Sequence, residues 1–121
     1  KIGVDIRFEG GHPMKGNGIV FRGSEEGFYL FDLSPDGFFA LYHYKDGFET
    51  LLPKEFAKSA KPYEENRIEL VARNNEFEFS INNETVKKIK VKDNLDSGFA
   101  GLYVCAGSWA SFDNYFIEVD E

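Results

Sequence analysis

The sequence predicts an all-β fold, an antiparallel sandwich or barrel made of short strands. Three observations carry this. Apolar residues recur with a period of two along most of the chain. Gly, Asn and Asp interrupt the pattern at short, regular intervals, as turns do. Only residues 53–61 (PKEFAKSAK) could form a helical turn, and they are too few for a stable helix.

The elements follow in order. Ile2, Val4, Ile6 and Phe8 alternate with Gly3, Asp5, Arg7 and Glu9, which reads as a half-buried strand ended by Gly10-Gly11-His12-Pro13. Residues 18–22 form a second strand. Residues 28–34 and 38–44 form a hairpin across the turn Ser34-Pro35-Asp36-Gly37. Lys45-Asp46-Gly47 turns the chain into a strand over 48–52. Strands over 67–72 and 76–81 flank Asn74-Asn75. In the latter, Phe77, Phe79 and Ile81 oppose Glu76, Glu78 and Ser80. Asn82-Asn83 leads into 85–91, and strands over 99–106 and 111–119 complete a set of ten.

A length of 121 residues predicts a single domain over 1–121. The formal charge of −7 argues against nucleic acid or an anionic membrane as partner, because both need a basic face. No apolar run is long enough to insert into a bilayer. The chain starts at Lys1 without a hydrophobic leader, which reads as a processed or excised piece. Cys105 is the single cysteine, which excludes an internal disulfide and reads as a small buried hydrophobe.

Two strands are apolar on both sides. Tyr29, Phe31 and Leu33 lie opposite Phe28, Leu30 and Asp32. Phe39, Leu41 and His43 lie opposite Phe38, Ala40, Tyr42 and Tyr44. One face fills the core, and the other is an aromatic surface of the kind that binds something. Arg22, Asp32, Phe38, Tyr42 and Tyr44 are expected to project together on that second face. Aromatic planes stack on the C–H faces of sugars, and Arg and Asp answer their hydroxyls. Trp109, expected in a loop, is a second exposed aromatic candidate.

An ordered series runs through nearly the whole chain: Gly18-Ile19-Val20-Phe21-Arg22, Gly27-Phe28-Tyr29-Leu30-Phe31, Ser34-Pro35-Asp36-Gly37, Asn66-Arg67-Ile68-Glu69-Leu70, Phe79-Ser80-Ile81-Asn82-Asn83, Gly98-Phe99-Ala100-Gly101-Leu102 and Phe112-Asp113-Asn114. It resembles the concanavalin A-like lectin/glucanase superfamily, and in particular the laminin-G-like jelly-roll domains of bacterial extracytoplasmic and cell-envelope proteins. The resemblance implies a concanavalin A-like jelly roll. Such domains usually run longer, which implies either that strands before Lys1 are lacking or that the sandwich is minimal and has an open edge. It also implies a place outside the cell or in its envelope, and a structural calcium ion with Asp113 as ligand.

Catalysis is poorly supported. Glu76 and Glu78 alternate on a strand face that reads as solvated, not as the facing carboxylate pair of a glycosidase. Neither His12 nor His43 has a nucleophile elbow near it. Asn83-Glu84-Thr85 fits a glycosylation sequon without further support. The sequence therefore leads to a non-catalytic recognition domain for a glycan. The alternative is a structural or protein-interaction module of a larger envelope protein.

Overall fold

A computed structural model describes residues 1–12, 14–92 and 98–118. Its ten strands are β1 (Ile2–Gly11), β2 (Asn17–Ser24), β3 (Gly27–Leu33), β4 (Phe38–Tyr44), β5 (Phe48–Phe56), β6 (Asn66–Arg73), β7 (Glu76–Ile81), β8 (Glu84–Lys90), β9 (Phe99–Val104) and β10 (Ser108–Ile117). They form two antiparallel five-stranded sheets. The first has the order β10-β1-β6-β7-β8 and the second the order β5-β4-β3-β2-β9. The result is an antiparallel β-sandwich, one of the two architectures that the alternation of the sequence predicts.

The core lies between the sheets and is aromatic. Phe21 stacks on Tyr29 at 5.5 Å and meets the edge of Phe77 at 5.0 Å. Phe31 stacks on Phe79 at 4.4 Å across the two layers. All five rings are essentially inaccessible to water. Each contributes about 1.5–3 kcal/mol by burial, and the offset and edge-on pairs add to that. His43 closes one end of the core by stacking on Tyr29 at 4.3 Å, on the core side where alternation places it.

The hairpin at Ser34-Pro35-Asp36-Gly37 forms as expected. Gly37 N–H donates to the Ser34 carbonyl at 2.9 Å, and Gly37 takes φ +96°, a conformation side chains disfavour. Close packing within the second sheet explains Gly18. A Cβ there would run into the Phe31 carbonyl on the neighbouring strand.

Three local expectations are corrected. Residues 53–61 contain no helix. β5 continues through Pro53 to Phe56 and a turn follows. Proline is tolerated because β5 is an edge strand, and two register shifts against β4 absorb the extra backbone. β1 does not stop at Gly10. It runs to Gly11, with Gly10 and Gly11 paired to Trp109 and Ser108. The expected loop around Trp109 is the start of β10.

The turn before β6 is held by asparagines instead of a helix. Buried Asn66 accepts from Lys61 N–H at 2.7 Å and donates to the carbonyls of Lys61 and Glu64 at 2.9 and 3.1 Å. Asn82 donates to Asn66 Oδ1 and to the Ser59 carbonyl, both at 2.8 Å.

The four outer strands differ in chemistry. β8 carries Lys87, Lys88 and Lys90, and β5 carries Lys54 and Glu55. β9 has no charged residue, and β10 has only Asp113. Leu102 lies opposite core residue Ile19, yet it and Val104, Tyr115 and Ile117 remain about 40–50% exposed. Along the β9 and β10 edges, apolar side chains are thus left partly open to solvent.

Candidate functional site

The outer face of the second sheet holds the candidate site. Directly opposed residues of antiparallel strands share a face. Asp32 pairs with Ala40, Leu30 with Tyr42 and Phe28 with Tyr44, so these side chains form one surface. Tyr103 joins it through Gly18, which pairs with both Tyr103 and Asp32. Of these, Leu30, Asp32, Tyr42 and Tyr103, with Phe48, Thr50 and Lys54 of β5 and with Met14 and Lys15, line a recess of about 300 Å³.

Asp32 sits at the bottom of this recess and is 7% exposed. Gly16 passes so close that a Cβ there would press on the carboxylate. Burial raises the Asp32 carboxyl from its ordinary 3.8 to about 7, and the attraction of Lys54 offsets this only in part. No hydrogen-bond donor among the described residues takes part in this balance. The carboxylate is buried and lacks the partners that buried charges normally have. Tyr42 and Tyr103 are also pushed up from the usual phenol range. Burial is the main cause for both. The charge of Asp32 adds to it, as does Cys105, to which Tyr103 is hydrogen-bonded.

The rim is aromatic on one side and basic on the other. Tyr44 stacks on Phe28 at 5.3 Å and meets Phe48 at 5.1 Å. Phe48 also approaches Tyr42 edge-on at 6.3 Å and stays 63% exposed. Lys54 Nζ donates to the Met14 carbonyl at 2.6 Å, and Lys15 Nζ donates to the Ala106 carbonyl at 2.9 Å. The two lysines thereby stitch the segment before β2 to β5 on one side and to the turn before β10 on the other.

The predicted set is brought together only in part. Asp32 and Tyr42 line the recess, and Tyr44 stands beside it. Phe38 lies at the opposite end of β4, packed edge-on against Phe56 at 5.6 Å. Arg22 departs from the expectation that it shares this face. A register shift between Phe21 and Ser24 and a φ of +49° at Arg22 reverse the alternation. Its guanidinium crosses to the Asn74 carbonyl in the β6–β7 turn and lies 5.2 Å over Phe77. Trp109 is 65% exposed on β10 of the other sheet, against Gly10, and does not line the recess.

Asp113 was expected to bind calcium. Its Oδ1 accepts the Asn114 amide at 2.8 Å, and no group of three or more His, Cys, Asp or Glu side chains that could hold a metal exists among the described residues. Cys105 corrects a further expectation. It is half-buried and lines the recess, because the outward alternation of Tyr103 on β9 carries on to Cys105 just past the end of the strand. Glu78, as expected of a solvated strand, accepts from Thr85 and faces Lys88.

The sequence reading missed Lys54, Lys15, Phe48 and Tyr103. Lys54 was hidden in the segment read as helical. Tyr103 was detectable, since its strand alternates and its neighbour Leu102 is the better core residue. Other depressions exist, at Glu76 and Glu78 and at the open end beside Arg22, but neither combines an unpartnered buried charge with exposed rings. Among the described residues no helix is long and apolar enough to cross a membrane.

Comparison with solved structures places the fold among lectin-like jelly-roll β-sandwiches. A carbohydrate-binding module, CBM66 from Bacillus subtilis, matches with TM-score 0.80 and 15% identity, over 94% of this chain and 71% of that one. Sheep galectin-11 in complex with glycerol matches with TM-score 0.63 and 17% identity, over 95% of this chain and 87% of that one. At such identities the likeness is one of fold. No protein-family model matches the chain, and no curated protein matches it.

Proposed function

We propose that this chain is a non-catalytic glycan-recognition domain that acts outside the cell or in its envelope and binds on the outer face of the second sheet. One observation carries the reading: a buried carboxylate without hydrogen-bond donors opens into a recess walled by aromatic rings. A polyol supplies what that site lacks. Sugar hydroxyls donate to Asp32 and accept from Lys54, Tyr42 and Tyr103, while the apolar ring face stacks on Phe48 or Tyr44. The likeness in fold to a carbohydrate-binding module and a galectin supports the same class of ligand.

A glycan-array screen tests this, with Tyr42→Ala and Phe48→Ala beside the wild type. Binding that falls at least tenfold in both variants, with their circular dichroism unchanged, is the expected result. Absence of binding to any glycan by a folded wild type would refute the reading.

The alternative, a protein-interaction module, is favoured by a different observation, the apolar edges of β9 and β10, where Asp113 is the one charged residue. Uncapped edges of this kind invite pairing with another strand.

A further inference from the structure

We propose that the glycan taken by this recess is an acidic one, whose sugar carries a carboxylate. The proposal rests on the glycan reading above and narrows its ligand class.

The first argument is charge. The whole chain has 21 acidic against 14 basic residues. The lining of the recess reverses that balance, with Lys15 and Lys54 against Asp32 and no other formally charged side chain. A basic spot on an acidic domain attracts anions selectively, because the rest of the surface repels them.

The second argument is geometry. Each ammonium is anchored at the rim by one backbone carbonyl, Lys54 by Met14 and Lys15 by Ala106. An ammonium has three donors, so each retains donors for a ligand while its position is already fixed. A cationic sugar would meet both ammoniums on its way to Asp32. A neutral sugar would use the hydroxyl partners but leave the paired positive charge at the rim unanswered.

The third argument is the state of Asp32. Protonated, it donates an O–H to the ligand carboxylate and raises the local charge to +2. Ionised, it repels that carboxylate at close range. The groups facing it are Lys54 from β5, Tyr42 from β4, Tyr103 and Cys105 from β9, and Lys15 from the segment before β2. Burial pushes both phenols above their ordinary range, and it is the Asp32 carboxyl that is brought to about 7. With its carboxyl at about 7, Asp32 is about nine-tenths protonated at pH 6 and about one-tenth at pH 8. A uronate stays ionised across that range. Affinity for it should therefore drop about tenfold from pH 6 to pH 8.

Calorimetric titration tests this with oligomers of galacturonate, glucuronate, mannuronate and guluronate, neutral oligomers of matched length, and sulfated oligomers. At least one uronate series is expected to bind about tenfold or more tightly than its neutral counterpart at pH 6. That binding should weaken about tenfold at pH 8. Asp32→Asn should flatten the pH dependence. The double substitution Lys15→Met, Lys54→Met should remove the preference for acid, so that uronate and neutral oligomers bind alike. Equal binding of neutral oligomers, or pH-independent uronate binding, would overturn the acidic ligand and leave the glycan reading standing. Equal binding of sulfated oligomers would overturn the restriction to carboxylates. Absence of binding to every oligomer, by a protein still folded by circular dichroism, would overturn both readings.

Discussion

Asp32→Asn should stabilise the protein, and do so more as pH rises. The folded carboxyl titrates at about 7 against 3.8 when exposed. The folded state therefore holds a proton that the unfolded state has released throughout that interval. Stability falls with rising pH wherever the folded state binds more protons. The loss starts near pH 4, grows to pH 7 and levels off above it. A difference of about three pH units corresponds to about 4 kcal/mol at full extent. Between pH 5 and pH 8 the part lost is about 2–3 kcal/mol, because some of the cost is already present at pH 5. Asparagine keeps the shape of the side chain and carries no charge, so the variant lacks this slope. Urea unfolding of both proteins at pH 5, 6.5 and 8 measures it directly. The wild-type midpoint should fall by about 1–2 M relative to the variant over that range. Parallel pH profiles would refute the reasoning, since they would mean that Asp32 is solvated or has a donor in the folded protein. The expected gain in stability accompanies a loss of ligand discrimination, the exchange typical of binding sites.

Other perturbations address the scaffold. Asn66→Ala leaves the Lys61 amide and two carbonyls without their partner and should cost about 2–3 kcal/mol by urea unfolding. Phe79→Ala removes a fully buried ring that stacks on Phe31 and should cost about 3–5 kcal/mol. Gly18→Ala drives a methyl into the Phe31 backbone beside Asp32. It should lower stability by about 3 kcal/mol and weaken ligand binding with it, read by thermal unfolding and titration together.

The fold was legible because period-two alternation and turn residues are local signals. Both sides of β3 and β4 could be assigned from alternation alone, which is why Asp32, Tyr42 and Tyr44 were found. Two of the failures share one cause. Arg22 and Lys54 both lie where a register shift breaks the alternation, and a bulge leaves no mark in the hydrophobic pattern. At Arg22 a left-handed backbone turned a predicted surface cation into a strut across the sandwich. Residues 53–61 read as the one possible helical turn, whereas Pro53 sits in an edge strand, where it has no ladder bond to break. Lys15 and Phe48 were missed for another reason. Loop and edge side chains reach a site through tertiary approach, which spacing cannot encode.

Lys1 and Glu118 meet at the end of the β1–β10 ladder, where the Lys1 amino group donates to the Glu118 carbonyl at 2.8 Å and Ile2 pairs with Ile117. The strands are antiparallel and leave the domain side by side. A force pulling these two points apart would load the ladder one rung at a time, as a zipper opens, and not all rungs together in shear. Tension along a chain carrying this domain would therefore peel β10 from β1 first. The recess lies on the other sheet, so ligand bound there would offer that seam little mechanical support.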